Sequence, residues 1–269
     1  MNRPAHAPAS WPVISLRPAG QHDGLRRAAA RHGARTLAVS PWRLQPRDDD
    51  ATRAALEQAR SCDLLVFTSP AAAHAAARLL LLQQLRPGSL AAVGQGTARA
   101  LRRHGATTVQ APQRMDSEGL LALPALADLH DKRVALITAP GGRGVIAAEV
   151  QRRGAHLQRV DVYDRVPLPL SPALLARLQA LPGAAVLVAS SGEAFERVLQ
   201  QLPLPLRERW QQQPVVVASE RLAALAATHG FAHVQVAAGP LPAQLAAAAH
   251  AAWQRHGLNL QRARMAGDA

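Results

Sequence analysis

The chain has 269 residues, 48% of them hydrophobic and 18% charged, a composition that fits a globular protein of one or two domains and excludes a disordered or fibrous one. Its apolar area comes mostly from Ala, Leu and Val, with aromatics at 3%, so the packing must rest on many small contacts. A net charge of +13 invites a nucleic-acid reading, but Lys132 is the only lysine and the arginines are spread along helix faces, so the charge is read as favouring a polyanionic small molecule instead.

No apolar run reaches the ~18 residues of a membrane-spanning helix. The opening MNRPAHAPASWP lacks the apolar centre of a signal peptide, so residues 1–10 are expected to be a disordered lead-in and the protein cytoplasmic. A single cysteine, Cys62, allows no internal disulfide and suits a reducing compartment. Standing just before an apolar run, it is expected to be packed and not nucleophilic.

In chain order the pattern predicts a strand over residues 13–16, a Gly-bearing turn LRPAGQ (16–21), an Arg/Ala helix ending at Gly33, and an extended segment over 36–46 that finishes at a proline. A strand over 64–67 turns through FTSPA into an Ala-rich helix, and one over 91–93 turns through VGQGTA into a helix ending at Gly105. The same order then returns. Strand 134–137, the turn TAPGGRG (138–144), a helix ending at Gly154 and the extended segment 156–167 repeat the opening. Strands 186–188 and 215–217, with helices behind ASSGE and ASER and a helix end at Gly230, repeat the rest. The strands are continuous apolar runs, as expected of parallel strands covered on both faces, and the four glycines stand where a left-handed C-cap is needed.

A period of about 120 residues is too long for a solenoid unit. It predicts an α/β protein of two similar doubly wound parallel-sheet domains with the active site in a cleft between them. Segments 36–46 and 156–167 are each long enough to cross from one domain to the other, and are expected to form a two-stranded antiparallel linker. Residues 11–40 then join 168–260 in one discontinuous domain, residues 41–167 form the other, and 261–269 remain as a disordered tail. Two consecutive domains with a single linker are the alternative on pattern alone.

Ligands of such sheets bind outside the carboxyl ends of the strands, and here nearly every end places Ser, Thr or Gly where a helix begins. Free N–H groups and small hydroxyls at helix starts attract anions; ordinary N-capping uses the same residues. VGQGTAR is not a dinucleotide fingerprint, because Arg99 stands where the third small residue belongs, and there is no P-loop, HExxH or G-x-S-x-G. The histidines are scattered and read as surface residues. Acidic residues are sparse at the strand ends, with only Glu193 and Glu220 there, so paired-carboxylate chemistry has little support. Tyr163, the only tyrosine, lies on the second crossing segment. It can donate a hydrogen bond or a proton to a leaving oxygen while neutral near pH 7, or it can simply pack.

Taken in order, LRPAGQ, FTSPAAA, VGQGTARALRRHG, GGRGVIAAEVQRRGA, VDVYDRVP and SSGEAF resemble the uroporphyrinogen-III synthase family over about residues 12–250. No single motif is specific; order, spacing and duplication together are. The resemblance implies two α/β domains joined by a two-stranded ladder. It also implies a cyclising lyase of tetrapyrrole biosynthesis, which closes linear hydroxymethylbilane to uroporphyrinogen III with inversion of the last ring and loss of water, using no cofactor and no metal. Tyr163 would assist departure of the hydroxyl. Substrate contacts would come from Thr68, Ser69, Thr97 and Ser190, and from Arg17 and Arg143 at basic positions in two equivalent loops. Ala139 and Pro140 stand where bacterial members often carry Arg-Gly, and ASER replaces a Gly-x-x-Thr pattern, leaving Ser219 as the substitute contact. A monomer is expected, with hydroxymethylbilane as its small-molecule partner, no nucleic acid and no membrane; transient contact with the preceding pathway enzyme is left open. The alternative function is a noncatalytic two-domain binder of a polyanionic small molecule.

Overall fold

The computed structural model describes residues 10–267 except 87, 115, 142, 143 and 182, with side chains of the last helix described as far as His256. In chain order, β1 (Trp11–Leu16), α1 (Asp23–Ala30), β2 (Ala34–Val39), β3 (Trp42–Pro46) and α2 (Asp50–Ala59) come first. β4 (Leu64–Phe67) leads into α3 (Pro70–Ala76), β5 (Leu90–Ala92) into α4 (Gln95–Arg103), and α5 (Ser117–Leu121) follows. The second copy opens with β6 (Arg133–Thr138), α6 (Val145–Arg152), β7 (His156–Asp161), β8 (Tyr163–Pro167) and α7 (Pro172–Gln179). It closes with β9 (Val186–Ala189), α8 (Gly192–Gln201), α9 (Leu204–Gln211), β10 (Pro214–Val217), α10 (Glu220–Thr228), β11 (His233–Val236) and α11 (Pro242–Gly267).

These elements form two compact units, one of residues up to Arg43 and from Pro167 onward, the other of Leu44–Val166. The first holds a parallel sheet in the order β11-β10-β9-β1-β2, the second a parallel sheet in the order β5-β4-β6-β7. Each sheet mixes the two sequence copies. β1 and β2, which open the first copy, lie beside β9 and β10 of the second; β6 and β7, which open the second, lie beside β4 and β5 of the first. The exchange is reciprocal, so both sheets carry the same strand pattern.

Alternation within the apolar runs puts side chains on both sheet faces. In the Leu44–Val166 unit, Leu65, Phe67, Ala135 and Ile137 belong to one buried cluster, and Leu64, Val66, Val134 and Leu136 to another. In the other unit Ile14, Leu16, Leu187 and Val215 face one core, and Val13, Val186, Val188 and Val216 face the second. Cys62 is buried as expected, its Sγ 3.7 Å from Gln158 Oε1, and burial pushes its thiol up.

The expected crossing segments each divide in two. Ala34–Val39 and His156–Asp161 remain in the parallel sheets as edge strands, and only Trp42–Pro46 and Tyr163–Pro167 form the separate two-stranded sheet. The Arg47 N–H donates to Val162 O and the Leu168 N–H to Pro41 O, so these strands run antiparallel. The chain passes from one unit to the other within them.

Gly33 and Gly154, at the ends of α1 and α6, have φ of 72° and 83°, as the C-cap reading requires. A Cβ on Gly154 would lie 3.3 Å from His130 Cα. Gly154→Ala is therefore expected to lower stability by about 1–2 kcal/mol in a urea melt, because the left-handed conformation opposes any side chain. α11 includes residues 261–267, read above as a tail, because QRARMAG holds no breaker before Gly267. Residues 1–9 and 268–269, also expected to be disordered, lie outside the described residues. Among the described residues no helix is long and apolar enough to cross a membrane.

Candidate active site

In a doubly wound sheet the binding crevice lies where the strand order reverses, outside the carboxyl ends. In the Leu44–Val166 unit that place is between β4 and β6, where Phe67 pairs with Ile137. The next residues, Thr68 and Thr138, are joined by a 2.8 Å hydroxyl–hydroxyl hydrogen bond. Ser69 accepts from the Ala72 N–H at 3.0 Å, capping α3, and its Oγ lies 3.3 Å from the Tyr163 hydroxyl. Tyr163 opens β8; the residue is 5% exposed and belongs to the core cluster of β4 and β6, with the phenol as its polar end.

Two arginines close the far side. Arg159 of β7 donates to Ala139 O at 2.7 Å and to Asp161 at 3.0 Å, and Arg165 of β8 donates to Pro140 O at 3.4 Å, so both guanidiniums hold the turn after β6. Thr68, Ser69, Thr138, Tyr163, Arg159 and Arg165 line a pocket of about 200 Å³ together with the first turn of α6. Among the described residues no side chain caps α6, whose N-cap is Gly144. The pocket thus offers hydroxyl donors, cationic groups and the backbone N–H groups of a helix start, which suits carboxylates and a leaving oxygen.

In the other unit the strand order reverses between β1 and β9, where Leu16 pairs with Ala189. Arg17 and Ser190 thus stand at the places that Thr138 and Thr68 occupy in the sheet of the Leu44–Val166 unit. Burial lowers the pKa of Arg17, and its Nη2, sealed from solvent, has no hydrogen-bond partner among the described residues. Ser191, not Ser190, caps α8 by accepting from the Ala194 N–H at 3.3 Å. Ser219 caps α10 by accepting from Leu222 at 3.4 Å.

Of the expected site residues, Thr68, Ser69 and Tyr163 come together in one pocket. Arg17, Ser190 and Ser219 follow the ends of the neighbouring strands β1, β9 and β10. Thr97 is buried in the first turn of α4 and does not line the pocket of Thr68 and Tyr163. Arg143 lies outside the described residues. Thr138, Arg159 and Arg165 are missed by the sequence reading, although Thr138 takes the place in TAPGGRG that Arg17 takes in LRPAGQ.

The reading of the histidines as surface residues is overturned at His22 and His256, which are 4% and 9% exposed. A single histidine in a polar turn carries no periodic signal of its burial. The His22 ring nitrogens lie 2.9 Å from the hydroxyls of Ser15 and Ser40. Burial, and then the charges of Arg17 and Arg26 against a smaller opposing effect of Asp23, lower its pKa to about 4.

The sequence matches the family described as uroporphyrinogen-III synthase HemD across residues 23–247. The uroporphyrinogen-III synthases of Salmonella typhimurium and Escherichia coli are 33% and 32% identical to it over 148 residues, 54% of this chain and 60% of theirs. The chain thus spans 60% of the length of these curated relatives. A mutant uroporphyrinogen III synthase from the extremely thermophilic bacterium Thermus thermophilus shares the fold with a TM-score of 0.61 at 17% identity, over 93% of this chain and 100% of that one. The uroporphyrinogen-III synthetase of Helicobacter pylori does so with a TM-score of 0.54 at 14% identity, over 86% and 93%. With the family match extending over most of its length, the chain belongs to the uroporphyrinogen-III synthase family.

Proposed function

We propose that the protein has the activity its family is named for and closes hydroxymethylbilane to uroporphyrinogen III as a cytoplasmic monomer, residues 11–40 with 168–260 and residues 41–167 acting as its two domains. The observation that carries this reading is the Tyr163 phenol, 3.3 Å from Ser69 Oγ in a pocket of hydroxyls and guanidiniums where the strand order reverses. Ionisation breaks the C–O bond of the hydroxymethyl group. The oxygen leaves as water with a proton donated by Tyr163, and the adjoining pyrrole nitrogen delocalises the charge as an azafulvene. The substituted α-carbon of the last ring attacks the azafulvene carbon to give a spiro intermediate. The original bond of that α-carbon to the methylene of the preceding ring breaks to leave a second azafulvene there, and the free α-carbon attacks this methylene and loses a proton, which restores the Tyr163 phenol. The net change is loss of one water, with no oxidant or cofactor. Unaided closure gives the symmetrical isomer, so the protein's main task is orientation, which can supply roughly 7–11 kcal/mol.

An assay fed hydroxymethylbilane by the preceding reaction tests this, with oxidised products separated by chromatography. The type III isomer is expected. The symmetrical isomer alone would reject the reading, and tight binding of the bilane without turnover would favour a noncatalytic binder.

Arg17, Thr68, Ser69, Thr97, Arg143, Ser190 and Ser219 are the proposed substrate contacts, and the caps divide them. Neither Thr68 nor Ser190 caps a helix, so Thr68→Ala and Ser190→Ala are each expected to raise KM about tenfold to a hundredfold, the worth of a hydrogen bond to a charged group. Ser190→Ala should leave the melting temperature unmoved, and Thr68→Ala should lower it slightly through loss of the bond to Thr138. Ser219→Ala removes the cap of α10 and is expected to lower stability by about 1 kcal/mol as well. Steady-state kinetics and thermal melts on the same preparations check both statements.

A further inference from the structure

Residues 17–22 carry Arg17 from the end of β1 to the start of α1 and are tied down at both ends. The Ala19 N–H donates to Trp42 O at 2.9 Å, and the Gln21 N–H to Pro18 O at 3.0 Å closes a turn with Gly20 at φ 77°. At the far end the His22 ring is wedged between two strands. Its Nδ1 lies 2.9 Å from the hydroxyl of Ser15 in β1, and its Nε2 2.9 Å from that of Ser40, the residue after β2. A neutral imidazole has one donor and one acceptor, and each serine can serve as either, so all of these polar groups are satisfied without a charge. That neutrality bears on Arg17. A carboxylate at position 22 would brace the turn equally well but would also neutralise the neighbouring guanidinium. Instead Arg17 is half-buried, with Nη2 unpartnered among the described residues, a costly state for a cation unless an anion is to be received.

We propose that His22 is a positioning residue: braced between Ser15 and Ser40, it holds the 17–21 turn so that the Arg17 guanidinium is kept in place to pair with a carboxylate of the substrate. This rests on the activity proposed above, and its test uses two readouts so that the two can fail separately. Wild type, Arg17→Ala, His22→Phe and the double variant are compared in KM and kcat for hydroxymethylbilane, and in Kd for uroporphyrin III, a polycarboxylate read by its own fluorescence. His22→Phe is expected to raise KM and Kd about tenfold to a hundredfold with kcat little changed, and to add nothing in the Arg17→Ala background, since it acts through that residue. Additive effects would overturn the proposal, because a merely structural role weakens binding whether or not Arg17 is present. His22→Gln, which can keep one of the two hydrogen bonds, should recover part of the affinity. If His22→Phe does not fold, Ser40→Ala removes one brace and enters the same cycle in its place. A wild type that binds uroporphyrin III but forms only the symmetrical isomer refutes the activity while the Kd cycle still decides His22. A wild type that forms the type III isomer without binding uroporphyrin III leaves the activity standing, and the KM cycle then decides His22.

Discussion

Tyr163→Phe is expected to cut turnover of hydroxymethylbilane by about 10²-fold, the lower end of what a placed proton donor contributes, while leaving the melting temperature nearly unchanged. The ring of this residue, which is 5% exposed, keeps its place in the core, and the hydroxyl loses a 3.3 Å contact with Ser69, which still caps α3. Tyr163→Ala should behave differently. Removing a ring packed in the cluster of Phe67, Val160 and Val162 leaves a cavity, and stability should fall by about 3–5 kcal/mol as for other buried aromatics. Turnover and thermal unfolding measured on both variants separate the two parts of the side chain. Full activity of the Phe variant would remove Tyr163 from the mechanism and leave packing as its role.

The second large effect is a dependence of stability on acid. His22 has a folded pKa of about 4 against an ordinary 6.5, so folding favours its neutral ring. Its contribution is fully present above pH 6.5 and is lost progressively as the pH falls toward 4; at about 1.4 kcal/mol per unit the loss is about 3 kcal/mol. His74 and His256 are also held below the ordinary histidine value, chiefly by burial, and lose stability in the same direction. The difference between wild type and His22→Phe in urea unfolding, followed from pH 7.5 to 4.5, isolates the one ring. Stopping there also avoids Glu149, whose carboxyl is lowered from 4.5 to about 2, chiefly by its hydrogen bonds to Arg152 and Arg153, and whose contribution goes only at lower pH. Parallel curves for the two proteins would contradict the placement of His22.

What could be read from the chain follows from where each strand lies. β4, β9 and β10 are unbroken apolar runs, and β1 and β6 nearly so, because their sheets are covered on both faces. β2, β7 and β11 are edge strands with half-exposed residues, and their sequences, ARTLAV, HLQRVD and HVQV, carry a weaker signal. For that reason the segments 36–46 and 156–167 read as single crossings, although each holds a sheet strand and a ladder strand. The site was legible where chemistry is rare, as at the only tyrosine, or where it stands beside a helix start, as at Thr68 and Ser69. It was not legible where the fold supplies the meaning. Arg159 and Arg165 are two arginines among many until β7 and β8 bring them to the carbonyls of Ala139 and Pro140. Ser190 and Ser191 are alike in sequence, and only helix geometry assigns the cap to Ser191 and leaves Ser190 free of that duty.

The central claim is inversion of one ring, and the most direct test follows two carbon atoms. Hydroxymethylbilane is prepared with carbon-13 at its hydroxymethyl carbon and at the substituted α-carbon of its last ring, and the macrocycle formed in the presence of the protein is examined by carbon NMR. Inversion joins the two labelled atoms directly, so a one-bond carbon–carbon coupling should appear and grow with the enzyme-dependent product. Closure without inversion keeps them apart, and a product in which both labels remain uncoupled would contradict the proposed activity.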